Sequence, residues 1–151
     1  MRTRNQIEVG LPRSRAAELY TCHEQLASWS PGFLSIEVLS DGTADTKPTF
    51  KSRYRAMGKE IEEVLTLVEN RLPEAMCVVA TLAGGLLRRE SRICFEATGP
   101  DTTRLTVHNS FSGAHAPYLV ESELQVYTQA FLECFKDFAE RQPVSAIKPP
   151  R

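Results

Sequence analysis

The chain moves between two hydrophobic periods, and the order in which they occur predicts its architecture. "QIEVGL" sets Ile7, Val9 and Leu11 against polar neighbours, the period of a strand with one buried face. Pro12 ends it. "SRAAELYTCHEQLASW" then brings Ala16, Leu19, Tyr20, Leu26 and Trp29 back near helical spacing, with a break at Thr21, Cys22 and His23. Two short helices are predicted, with Ser14 as the N-cap of the first. Beyond Ser30-Pro31-Gly32 the pattern changes to strands: "FLSIEVLS", "PTFKSRYRAMG", "KEIEEVLTLVENRLP", "EAMCVVATLAGG", "LLRRESRICFEAT" and "TTRLTVHNSFSG". Asp41-Gly42, Gly58, Pro73, Gly84-Gly85 and Gly99-Pro100-Asp101 separate them, and such turn residues predict hairpins in an antiparallel meander. From Pro117 onward, Val120, Leu124, Tyr127, Phe131, Phe135 and Phe138 recur every three or four residues, which predicts a long helix with one apolar stripe. Glu121 and Glu123 near its start and Lys136 and Arg141 near its end suit the helix dipole.

These parts define an α+β fold: a strand, two short helices, six strands and a long helix. Their economical packing is a curved antiparallel sheet of about seven strands that buries one face against the C-terminal helix. Residues 1–142 then form one domain, and "PVSAIKPPR", residues 143–151, is a proline-containing C-terminal tail.

Strand parity sorts the polar residues between the two faces of that sheet. In "TFKSRYRAM", Phe50, Ser52, Tyr54 and Ala56 share one face, and Lys51, Arg53 and Arg55 share the solvent face. In "LRRESRICFEA", Ile93 and Phe95 mark the inner face, which takes Ser91 and Arg89 with them. In "RLTVHNSF", Leu105, Val107 and Phe111 carry Asn109 inward. The inner wall is therefore apolar with four polar groups, Tyr54, Arg89, Ser91 and Asn109. An inward arginine is costly unless it is paired or lies near a rim. "EIEEVLTLVEN" has no cleanly apolar face, so a bulge or an exposed edge is expected there and no site residue is drawn from it. The inner face then offers no carboxylate or histidine as an evident base.

Length and composition narrow the function without identifying it. At 151 residues, 42% hydrophobic and 25% charged, the chain suits one domain with room for a pocket. A net charge of −1 gives no bulk electrostatic reason to expect nucleic acid as a partner. The four cysteines, Cys22, Cys77, Cys94 and Cys134, are far apart and read as free thiols of a cytoplasmic protein. "MRTRNQIEVG" lacks an apolar run and is not read as a secretory signal, and no segment predicts integral membrane association. Phosphate-loop, dinucleotide-fingerprint, zinc-protease and nucleophile-elbow motifs are absent, so no metal or nucleotide cofactor is expected. His23, His108 and His115 are paired with no nucleophile in sequence and read as structural.

The element order, "ASWSPGF" at the helix-to-strand corner, and Gly99, Thr103 and Leu105 at the opening of the last strand resemble the START-like (SRPBCC) superfamily. The likeness is to its polyketide cyclase/dehydrase and lipid-transport branch, and it covers residues 4–142. It implies a helix-grip fold with a cavity between the curved sheet and the C-terminal helix, holding an apolar or aromatic small molecule. It implies no single activity. On that fold Trp29 would lie beside the cavity entrance, while Tyr127 and Phe131 would face either core or ligand. The candidate ligand-binding residues are thus Trp29, Tyr54, Arg89, Ser91, Asn109, Phe111, Tyr127 and Phe131, with no catalytic residue assigned.

Three functions fit. The first is a carrier or sequestering protein for a hydrophobic small molecule, acting as a monomer or homodimer. The second is a cyclase/dehydratase-type enzyme in which Tyr54 or Arg89 polarises a carbonyl in the same cavity. The third is a non-catalytic protein-interaction module using Lys51, Arg53 and Arg55.

Overall fold

Alternating burial along β1 (Arg2–Val9) puts Thr3, Asn5 and Val9 inside. The chain then turns into α1 (Arg13–Tyr20) and α2 (Leu26–Trp29), joined by a short 3-10 turn at His23–Gln25. A computed structural model describes residues 1–142, and the proline-containing tail predicted for 143–151 lies outside the described residues. Six strands follow: β2 (Phe33–Ser40), β3 (Thr49–Ala56), β4 (Lys59–Arg71), β5 (Ala75–Leu82), β6 (Leu87–Gly99) and β7 (Thr102–Ser112). With β1 they form one seven-stranded sheet in the order β1-β7-β6-β5-β4-β3-β2, in which all six neighbouring pairs are antiparallel. The last element is α3 (Glu121–Glu140), so the α+β helix-grip arrangement expected from the sequence is the one observed. No helix among the described residues is long and apolar enough to cross a membrane.

The corner between α2 and β2 depends on Gly32. Its φ of 69° is the left-handed conformation, its carbonyl accepts from the Arg55 amide at 2.8 Å, and a Cβ there would stand 2.1 Å from the Arg55 carbonyl oxygen. Only glycine allows the corner to dock against β3.

Two helix starts differ from the sequence expectation. Pro12, not Ser14, occupies the N-cap of α1, and helical backbone begins at Arg13; proline's fixed φ suits it to the entry of a first turn. Pro117 sits in a separate 3-10 turn, Ala116–Tyr118, and Val120 is the extended N-cap of α3 with 48% exposure, so it is outside the apolar stripe. The stripe is centred on Leu132, Phe135 and Ala139, all fully buried, with Phe131 and Phe138 packed beside them.

That stripe meets Val9, Leu19, Trp29, Ile93, Phe95, Leu105 and Val107 in one core. Tyr20, Trp29, Phe131 and Phe135 stack within it, with ring centroids 5.0 to 6.4 Å apart. The main partners of α3 are β1, α1 and α2. Side chains fasten it to β1: Asn5 Nδ2 donates to the Gln125 carbonyl and to Gln129 Oε1, each at 3.0 Å. Several inner side chains of β3 to β5, by contrast, Tyr54, Ile61, Leu65 and Val78 among them, are only half-buried. All four cysteines carry free thiols, as expected.

Because Phe135 is fully buried at the centre of this core, truncation to alanine removes both its transfer energy and its packing. Phe135→Ala is expected to lower unfolding free energy by about 3 to 5 kcal/mol in chemical denaturation. A loss under about 1 kcal/mol would mean that the stripe is not the core contact described.

Candidate functional site

Parity places the inward polar residues, and the register brings them together. Ser91 of β6 faces Asn109 of β7 directly, and Arg89, two residues earlier on the same face, pairs with Phe111 on one side and Ala80 of β5 on the other. Ala80 is fully buried and presents only a methyl group, so the Arg89 side chain can reach across β5. On β4 it meets Glu63. The contact is bidentate: Arg89 Nη1 donates to Glu63 Oε2 at 3.1 Å and Nη2 to Oε1 at 3.2 Å.

The network extends to both sides of this pair. Tyr54 on β3 donates its hydroxyl to Glu63 Oε2 at 3.2 Å. Arg89 Nε donates to Ser91 Oγ at 3.0 Å, and Ser91 in turn donates to Asn109 Oδ1 at 2.5 Å. Tyr54, Arg89, Ser91 and Asn109, named from sequence, therefore form one connected arrangement with Glu63 at its centre. Further along the same rung lies Thr3, opposite Asn109; its buried Oγ1, like Asn5 Oδ1, has no hydrogen-bond partner among the described residues.

Glu63 overturns the expectation that the inner face lacks a carboxylate. It is 5% exposed and shares its face with Ile61 and Leu65, while Glu60 and Glu62 point outward. The signal was blurred by a bulge between Leu67 and Glu69, which reverses parity so that Glu69 faces solvent and reaches Arg92 at 2.7 Å. The expected irregularity in "EIEEVLTLVEN" is this bulge.

Electrostatics keep the guanidinium charged and the neighbouring phenols protonated. Burial alone would lower the Arg89 guanidinium, but Glu63 and Tyr54 outweigh it and hold it above its ordinary value. Burial raises Tyr54, and the negative charge of Glu63 raises it further. The Tyr127 hydroxyl on α3 is likewise raised, first by burial and then by the negative charge of Glu63. Both phenols remain donors across the physiological range.

The remaining candidates lie around this centre or in the core. Phe111 is 9% exposed beside Arg89. Trp29, 6% exposed, and Phe131 belong to the aromatic cluster under α3, and the indole Nε1 is buried without a partner among the described residues. Trp29 also borders a hollow of about 320 Å³ between α2 and the end of α3, lined further by Cys134, Phe138 and Arg141. A shallow basin of about 570 Å³ lies across β1, β7 and β6, bounded by Arg2, Arg4, Arg92 and His108, which parity places on the convex face. Neither hollow is lined by Glu63, Arg89 or Tyr54.

No protein-family model matches the sequence. None of the curated proteins matches it either. Solved structures do match in shape. The Zhui aromatase/cyclase from Streptomyces sp. R1128 superposes with a TM-score of 0.78 at 13% identity, over 93% of this chain and 94% of that one. The di-domain ARO/CYC StfQ from the steffimycin biosynthetic pathway gives 0.76 at 13% identity, over 92% of this chain and 45% of that one. A protein of Thermus thermophilus, TTHA0849, gives 0.74 at 17% identity, over 92% of this chain and 97% of that one. These likenesses establish the helix-grip fold.

Two outcomes follow from the buried pair. Glu63→Leu is expected to cost about 3 kcal/mol or more by stranding the guanidinium, and Glu63→Leu with Arg89→Met to cost clearly less. Additive losses in that double-mutant cycle would contradict the pair. In a tyrosinate absorbance titration, burial keeps Tyr54 and Tyr127 protonated beyond the ordinary range and pushes Tyr20 up to about 12. Folded stability that rests on these neutral phenols is therefore full below the unfolded-chain value near 10 and is lost as pH rises above it. Absorbance gained below pH 10 should be the same in wild type and Tyr54→Phe; a fall of about half in the variant would contradict it.

Proposed function

We propose that this protein binds a hydrophobic or aromatic small molecule in a cavity between the concave sheet face and α3, as a carrier or sequestering protein. The observation that carries this reading is the unequal burial of the ion pair: the Arg89 side chain is 22% exposed and that of Glu63 7%. The pair therefore turns a donor edge to the open side of an otherwise apolar wall. Three of the five guanidinium N–H groups are engaged by Glu63 and Ser91, which leaves two for a ligand. The half-buried Tyr54, Ile61, Leu65 and Val78 supply apolar area, and Tyr127 is half-buried on α3. Apolar burial gives affinity and Arg89, Tyr127 and Asn109 give orientation. Phe111 belongs to the wall, and Trp29 and Phe131 support it from the core.

A second reading, a cyclase/dehydratase-type enzyme, is favoured by Glu63 itself. A carboxylate that accepts from the Tyr54 hydroxyl and is clamped by a guanidinium can hold donors against a carbonyl oxygen as negative charge builds on it. The likeness to the Zhui aromatase/cyclase supports this reading only at the level of fold. The interaction-module reading is weakened at two of its three residues, because Lys51 pairs with Glu62 at 3.7 Å and Arg53 with Glu60 across the convex face, while Arg55 makes no ion pair among the described residues.

Prodan, a neutral naphthyl ketone dye, is the direct test. It should bind native protein in the micromolar range with a blue-shifted emission, and Tyr54→Phe and Asn109→Leu should alter its affinity more than they alter stability. Absence of binding to the native protein, with all variants shifting only the denaturation midpoint, would refute the cavity. If binding is seen, turnover of a β-polyketone that is lost in Arg89→Met with affinity retained supports the enzyme; binding without turnover supports the carrier.

A further inference from the structure

Away from the turns, the inner faces of the strands carry two formal charges among the described residues, Glu63 and Arg89, and they cancel; Lys59 shares their face but lies exposed at the β3–β4 turn. The apolar stripe of α3 adds none: Leu124, Tyr127, Phe131 and Phe135 face the sheet side, and its acids and bases lie at its ends or on its outer surface. A ligand entering this region therefore meets a wall with hydrogen-bond donors and no net charge. Desolvating an ion is repaid only by a charge of opposite sign that is free to pair with it. Here the guanidinium is already committed in bidentate fashion to a carboxylate that is more deeply buried than itself.

We infer that Glu63 sets the charge class of the ligand: by occupying Arg89 it restricts the site to neutral molecules bearing carbonyl or hydroxyl oxygens and excludes carboxylates and ammonium ions. This rests on the binding reading above and narrows it. Fatty acids and other carboxylates are rejected although an arginine faces them, because Glu63 already holds the place that their carboxylate would take. Ammonium ligands are rejected because the carboxylate is shielded beneath Arg89 and Tyr54. A neutral carbonyl oxygen can accept from one of the two free N–H groups of Arg89 without disturbing the pair.

The sign of this effect can be inverted. Glu63→Gln keeps a side-chain oxygen that can accept from Arg89 and Tyr54 but removes the charge, leaving an uncompensated guanidinium in a low-dielectric wall. Arg89→Met leaves the opposite charge.

Calorimetric titration at neutral pH with three ligands on one naphthalene frame tests it: 2-acetylnaphthalene, 2-naphthoate and 1-(2-naphthyl)ethylammonium. Wild type should bind the ketone at least roughly tenfold more tightly than either ion. Glu63→Gln should move the naphthoate-to-ketone affinity ratio by roughly tenfold or more toward naphthoate, and Arg89→Met should move the ammonium-to-ketone ratio the same way toward ammonium. If wild type binds all three ligands alike, or if the ratios in folded variants stay within about twofold of wild type, Glu63 does not select charge and only the binding reading stands. Should either variant fail to fold, the wild-type ranking decides by itself. Failure of wild type to bind any of the three overturns the pocket and this inference together.

Discussion

A guanidinium on the concave face of a sheet that folds against an apolar helix has to be compensated where water cannot do it. In this protein Arg89 projects from β6 into that face, and its counter-charge comes from β4, two strands away, over the methyl group of Ala80. The pairing requires that β4, β5 and β6 hold one register, that Ala80 stay small, and that parity on β4 bring Glu63 inward. Tyr54 and Ser91 then complete the hydrogen bonding of the pair from β3 and from within β6. An ion pair of this kind adds less to stability than its geometry suggests, since desolvation offsets much of the attraction. What it does is hold a polar group of defined orientation inside an apolar wall.

The two faces of the sheet use the same residue types to opposite ends. On the convex side Arg53 with Glu60, Arg92 with Glu69 and Arg104 with Glu8 are exposed pairs in high dielectric, where such contacts contribute little to stability. They do neutralise the charge that parity puts there, so Lys51 and Arg53 do not amount to a basic surface. On the concave side a single pair among the described residues is largely buried, and its effect on anything that binds is correspondingly large. The core under α1, α2 and α3 is a separate region, dominated by Tyr20, Trp29, Phe131 and Phe135.

Much of this was legible in the sequence because strand period and turn residues were both strong. The limits of the six strands β2 to β7, the placing of Tyr54, Arg89, Ser91 and Asn109 on one face, and the two short helices before Gly32 all follow from local patterns. Glu63 was not legible by the same means. Its strand has glutamates on both faces at its start and a bulge at its far end, so neither parity reads as apolar over the full length. A different signal was present: an inward Arg89 calls for an inward acid, and counting from Ile61 and Leu65 alone, before the bulge, puts Glu63 in place. The start of α3 was misread because Val120 keeps the spacing of the stripe while its backbone is still extended. Thr3 and Asn5 were missed because polar positions on an edge strand read as solvent-facing until α3 is known to lie over β1.

The most direct measurement is nitrogen-detected NMR of the arginine side chains during titration with 2-acetylnaphthalene, with Arg89 assigned through Arg89→Lys. The account predicts an Arg89 Nε–H signal that is protected from exchange in the free protein and shifts in proportion to ligand occupancy, while Arg53 and Arg92 on the convex face stay unmoved. An Arg89 signal that exchanges freely, or one that does not respond while the ligand is bound, would contradict it.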